Sequence, residues 1–99
     1  MTMTIDKVLD HVAQDQTSTG YLVEDSGIQV QIIFHDGGGS VSLLASFEDG
    51  DPTALAKIDE VPDFTRSTML RLSPAPNTYI YAKTKGVDDV SVIIGPHNL

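Results

Sequence analysis

Two runs in this chain alternate apolar and polar residues with a period of two, and nothing else in the sequence constrains the fold as strongly. The first is Ile28-Gln29-Val30-Gln31-Ile32-Ile33-Phe34, and the second is Val41-Ser42-Leu43-Leu44-Ala45-Ser46-Phe47. Asp36-Gly37-Gly38-Gly39 breaks the first run and Asp49-Gly50-Asp51-Pro52 breaks the second. A period of two puts successive side chains on opposite faces of a sheet, one face buried and one wet. Joined by a glycine turn, the two runs read as an antiparallel hairpin. Their inward residues predict a core of Val30, Ile32 and Phe34 against Val41, Leu43, Ala45 and Phe47.

Further strands are predicted at Tyr21 to Glu24, Ser67 to Leu72, Thr78 to Thr84 and Val90 to Ile94. Turn-forming residues separate them, such as Asp25-Ser26-Gly27, Ser73-Pro74-Ala75-Pro76-Asn77 and Gly86. Thr53 to Ile58 reads as one helical turn or as a short edge strand carrying Leu55 and Ile58. Strands at intervals of about ten residues predict an all-β fold, a small antiparallel β-sandwich of seven or eight short strands. The N-terminal segment leaves alternatives open. Ile5, Val8, Leu9 and Val12 follow helical spacing, with Thr4 as a cap, but the segment is short and a polar, turn-rich run over 15–20 follows. The expected division is therefore 1–19 as an N-terminal arm or short helix, or a short strand, and 20–99 as the β-sandwich domain.

Size and charge narrow the function classes. A chain of 99 residues can bury roughly two-thirds of its unfolded surface in one two-layer core. It has no cysteine, which removes disulfides and thiolate chemistry. Fourteen acidic residues against six Lys and Arg give a net charge of −8. That balance disfavours nucleic-acid backbones and anionic membranes, both of which need clustered basic residues. No basic segment followed by an apolar run marks a secretory signal, and no apolar stretch approaches the ~20 residues of a membrane helix.

Candidates for chemistry are few. His11, His35 and His97 have no partner at ligand spacing, so surface or capping roles are expected and no metal site is predicted. Glu48, Asp49 and Asp51 form an acidic loop that can offer oxygen ligands to calcium, yet the full loop pattern is absent and an ordinary aspartate-glycine turn is expected. Gly37-Gly38-Gly39 opens a strand, not a helix, and lacks the lysine and hydroxyl of a phosphate loop; a flexible hairpin tip is expected. Serines, histidines and aspartates occur without an order that brings them together, so no catalytic residue, no cofactor and no enzyme activity are predicted. Tyr79 and Tyr81 share a strand face, as a small aromatic platform or as packing. Ile33 and Leu44 point away from the cores of their strands, and Ile93 interrupts the Val90-Val92-Ile94 alternation. A helix or arm of the same chain, or another subunit, would cover these three; with Val8, Leu9 and Val12 they are the expected interface residues, and the stretch Met1 to Gln16 is expected to matter more for assembly than for folding.

The order of the pieces carries a resemblance. Gly39-Ser40-Val41-Ser42-Leu43 leads into Ser46-Phe47-Glu48-Asp49-Gly50; Pro76-Asn77-Thr78-Tyr79-Ile80-Tyr81-Ala82-Lys83 follows, and Val90-Ser91-Val92-Ile93-Ile94 closes the chain. Over residues 20–95 this order resembles the small β-sandwich virion structural proteins of tailed bacteriophages. The loop is one residue longer than in the tighter form of that pattern, a tryptophan after it is missing, and Tyr81 or Lys83 stands where an arginine is common. The resemblance implies a head decoration or cement protein, made in the host cytoplasm and carried in the virion. It would bind the major capsid protein or another virion protein as a symmetric homo-oligomer such as a trimer. A rival reading is an acidic inhibitor or immunity-type protein that binds a basic target such as a nuclease. A single dense acidic face favours the inhibitor; scattered carboxylates with a separate apolar patch favour the particle protein. A carbohydrate-binding module would need Tyr79 and Tyr81 exposed side by side.

Overall fold

The computed structural model describes residues 5–23, 27–47, 56–57 and 63–96. These residues form β1 (Asp6–Val12), β2 (Tyr21–Val23), β3 (Ile28–Asp36), β4 (Ser40–Ser46), β5 (Ala56–Lys57), β6 (Thr68–Leu72), β7 (Thr78–Lys85) and β8 (Asp89–Pro96). Two four-stranded antiparallel sheets result, in the orders β1-β8-β3-β6 and β2-β7-β4-β5. The protein is an all-β sandwich, as the alternation predicts. The acidic loop at 48–51, His97 and most of Thr53 to Ile58 lie outside the described residues; Ala56–Lys57 is an edge strand on β4.

The facing sides of the two sheets form the core. Ile28, Val30 and Ile32 of β3 and Val90, Val92 and Ile94 of β8 line one side, and Val41 and Leu43 of β4 with Ile80 and Ala82 of β7 line the other. All ten are buried. Burying one such aliphatic side chain contributes about 1.5–3 kcal/mol. Phe34 and Ala45 pack against this core, half-buried. Phe47 corrects the expected core: it lies past the end of β4, beyond the reach of the facing sheet, and is 78% exposed.

The hairpin is also corrected. Strand β3 pairs with β6 and β8, whereas β4 pairs with β5 and β7, so the two alternating runs lie in opposite sheets. Gly37 to Gly39 is therefore an arch between layers and not a hairpin tip. Gly38 and Gly39 take positive φ of 104° and 77°. A Cβ on Gly39 would run into the backbone of Gly86, with Gly86 O and Lys85 O both at 2.5 Å. The β3–β4 arch thus packs against the arch that carries the chain from β7 back to β8, and only a residue without a side chain fits there.

The N-terminal segment is a strand, neither a helix nor a detached arm. Strand β1 pairs antiparallel with β8, and Leu9 and Val12 belong to the core. Val8 packs against that core half-buried. The polar run that follows is tied down as well. Ser18 N donates to Ala82 O at 2.8 Å, and Thr84 N donates to Gln16 O at 2.9 Å. The buried Thr84 hydroxyl donates to Gln14 O at 2.6 Å and accepts from Gln16 N at 3.0 Å. These bonds stitch residues 14–18 along β7 and carry the chain from one sheet to the other. Expected as interface, Leu9 and Val12 are instead consumed by the fold.

Candidate functional site

The outer face of the β1-β8-β3-β6 sheet carries two features, one at each end. Cross-strand register puts Lys7 opposite Ile93, Ile93 opposite Gln31 and Gln31 opposite Met69. Beside this row, Gly95 has no side chain and Ile5 lies over it; a Cβ on Gly95 would come within 2.9 Å of Ile5 Cγ1. The result is a shallow groove of about 190 Å³ lined by Ile5, Met69, Ile93 and Pro96, with Gln29 and Gln31 in its floor. Ile5 is 66% exposed and Met69 64% exposed, so the groove is open and mostly apolar.

At the opposite end, Asp89 and Ser91 of β8 are flanked by a bulge on each neighbouring strand. In β1, Leu9 pairs with Val92 and Val12 with Val90, so Asp10 and His11 together face Ser91. In β3, Phe34 pairs with Val90 and Asp36 with Asp89, so His35 is the extra residue. A bulge adds one residue to one strand and re-aims its side chain. His11 takes φ of 49°, a left-handed conformation that costs a residue with a Cβ roughly 1–2 kcal/mol. The two bulges bring the rings together, stacked with centroids 4.1 Å apart and planes 19° apart.

Hydrogen bonds hold this arrangement. His11 N donates to Ser91 Oγ at 3.0 Å, and His35 Nε2 lies 3.0 Å from the same hydroxyl. His11 Nδ1 lies 2.9 Å from Asp89 Oδ1. Serine, histidine and aspartate are therefore close, but the wiring is not that of a hydrolytic triad. There, one imidazole bridges the hydroxyl and the carboxylate. Here His35 meets Ser91 while His11 meets Asp89, and Ser91 is only 2% exposed. The surroundings are anionic. Asp10 and Asp36 flank the histidines, Asp88 precedes Asp89, and Asp15 accepts from Gly86 N at 2.7 Å in the adjoining arch. Five of the seven described acidic residues thus gather at this end; Asp6 and Asp63 do not.

The predicted site residues scatter. Ile33 and Ile93 are half-buried on the outer face of this sheet, as diagonal neighbours across β3 and β8. Leu44 is half-buried on the outer face of the other sheet, opposite Tyr81. Ile33 and Leu44 therefore cannot belong to one patch. Of the residues expected at the interface, Ile93 alone lines the groove. Tyr81 is 2% exposed, so Tyr79 and Tyr81 are not the open platform a sugar-binding module needs. Sequence spacing missed the His11–His35 pair because the i, i+4 rule belongs to helices, whereas these two meet across β8.

Comparison of the chain with protein-family models, with curated proteins and with solved structures finds no match.

Proposed function

We propose that this chain is a non-enzymatic structural protein of a tailed-phage virion, attached to the capsid or to another virion protein through the outer face of the β1-β8-β3-β6 sheet. The observation that carries the reading is the exposed apolar groove of Ile5, Met69 and Ile93. Its volume of about 190 Å³ falls below the ~300–1,000 Å³ of pockets that enclose small ligands. It suits a few apolar side chains from a neighbouring subunit, whose burial supplies affinity without chemistry. The sandwich fold agrees with the resemblance over residues 20–95. A symmetric homo-oligomer such as a trimer belongs to the same reading.

The test is to find the chain in purified particles by mass spectrometry and then to locate it by electron cryomicroscopy. Density for a two-sheet sandwich, with the groove turned toward a capsid subunit, is the expected result. Purified virions that lack the chain would overturn the reading. Light scattering of the free protein reads its oligomeric mass.

One observation favours the rival reading, an acidic inhibitor of a basic protein. Asp10, Asp15, Asp36, Asp88 and Asp89 form a negative end well away from the groove. Association through that end would weaken steeply with added salt, whereas docking through the groove would not.

A further inference from the structure

We propose that His11, His35 and Asp89 form a binding site for a divalent transition-metal ion of the zinc class. One ring nitrogen of each histidine and one carboxylate oxygen of Asp89 lie within 4.8 Å of one another. Zinc takes ligands at about 2.0–2.2 Å, which places tetrahedral ligand atoms roughly 3.4 Å apart. Exposed side chains reach that spacing by turning about their terminal torsions, which are soft. Both histidines are exposed, and Asp89 is half-exposed.

The donor set selects the metal. Two imidazoles and one carboxylate suit zinc, nickel, copper or iron, whereas calcium and magnesium take oxygen. Three protein ligands leave coordination open for water or another group. The ion would sit beside the His11 Nδ1–Asp89 Oδ1 contact of 2.9 Å and replace that hydrogen bond. It must lie in the plane of each imidazole it binds, so at least one ring leaves the 19° stack on loading. An orienting group already stands beside one ligand. Ser91 Oγ lies 3.0 Å from His35 Nε2 and steadies that ring. Such a partner fixes ring orientation.

A second, independent observation is the backbone. Each histidine sits in a bulge, on the two different strands that flank β8, and His11 is held at positive φ. The β1 bulge also keeps Val12 on the inward face after Leu9, and the β3 bulge lies past Phe34, the last residue of that strand packed on the core. Together they bring one histidine from each flanking strand beside Asp89. This inference does not depend on the proposed virion role.

Isothermal titration of the untagged chain with Zn²⁺ tests it, with Mg²⁺ and Ca²⁺ as controls. Saturable binding of one zinc per chain is expected, with none for the controls. H11A, H35A and D89N should each weaken zinc binding at least tenfold while circular dichroism shows an intact fold. Imidazole NMR of the parent chain supplies a readout free of any variant: zinc should shift the His11 and His35 ring signals and leave those of His97 in place. Absence of zinc binding, binding unchanged in the variants, or ring shifts confined to His97 would each overturn the site.

Discussion

At the scale of single residues, position along a strand matters more than hydrophobicity. Ile32 and Phe47 are both large apolar residues in alternating runs, yet Ile32 is buried between the sheets and Phe47 stands in solvent. Ile32→Ala should cost about 2–5 kcal/mol, as a core cavity does. Phe47→Ala should stay within about 0.5 kcal/mol, the usual range for a surface change. Urea denaturation of the two variants checks the pair, and a larger loss from Phe47→Ala would return that ring to the core. Glycine shows the same dependence on place. Gly37 has open space around its Cβ direction, whereas Gly39 combines positive φ with the backbone of Gly86. Gly37→Ala should be close to neutral. Gly39→Ala should cost about 2 kcal/mol or more, because strained φ and backbone overlap act together. Thermal melts of these two variants separate a packed crossing of arches from a loose loop.

At the scale of elements, β1 decides whether the first sheet is complete. It contributes Leu9 and Val12 to the core and covers one hydrogen-bonding edge of β8. Removing residues 1–12 takes away that apolar area and bares an edge rich in valine and isoleucine, which invites pairing with another chain. The truncated protein should lose its cooperative unfolding transition and aggregate. Gel filtration and circular dichroism check this. A soluble, folded truncation would show that β1 is an accessory to the sandwich. The stitched segment 14–18 acts with β1, since its bonds to Ala82 and Thr84 hold the crossing from the first sheet to the second.

At the scale of the whole molecule, the outer face of one sheet is polarised, apolar at one end and acidic with two histidines at the other. The virion reading places affinity in the apolar end. Ile93→Ser combined with Met69→Ser should keep the fold, because both side chains are on the outer face, and should lower binding to particles at least tenfold. Co-sedimentation with particles measures it; full retention of binding would move the interface elsewhere. The two ends are separable, so this double variant should leave zinc titration unchanged. The polarity follows from topology. Strand β8 runs between β1 and β3, so its Asp89 end meets both bulges and its Gly95 end meets Ile5.

The alternation of apolar and polar residues was enough to establish β2, β3, β4, β6, β7 and β8, the inward faces of β3 and β4 apart from Phe47, and the all-β class, since a pleated strand imposes a period of two on whatever it buries. It also identified Ile33, Leu44 and Ile93 as outward residues. It carried no information on which strands pair, because backbone hydrogen bonds between strands leave no mark on local composition. The sheet order β1-β8-β3-β6, and with it the separation of Ile33 from Leu44, was decided by packing two layers through glycine arches. The N-terminal ambiguity has the same kind of origin. Two register shifts in β1, between Lys7 and Leu9 and between Leu9 and Val12, stretch its period and make the spacing of Val8, Leu9 and Val12 imitate a helix. Those departures from regular pleating are also what delivers His11 to His35 and Asp89. The site was invisible in the chain because its ligands come from three strands that become neighbours only in the folded sheet.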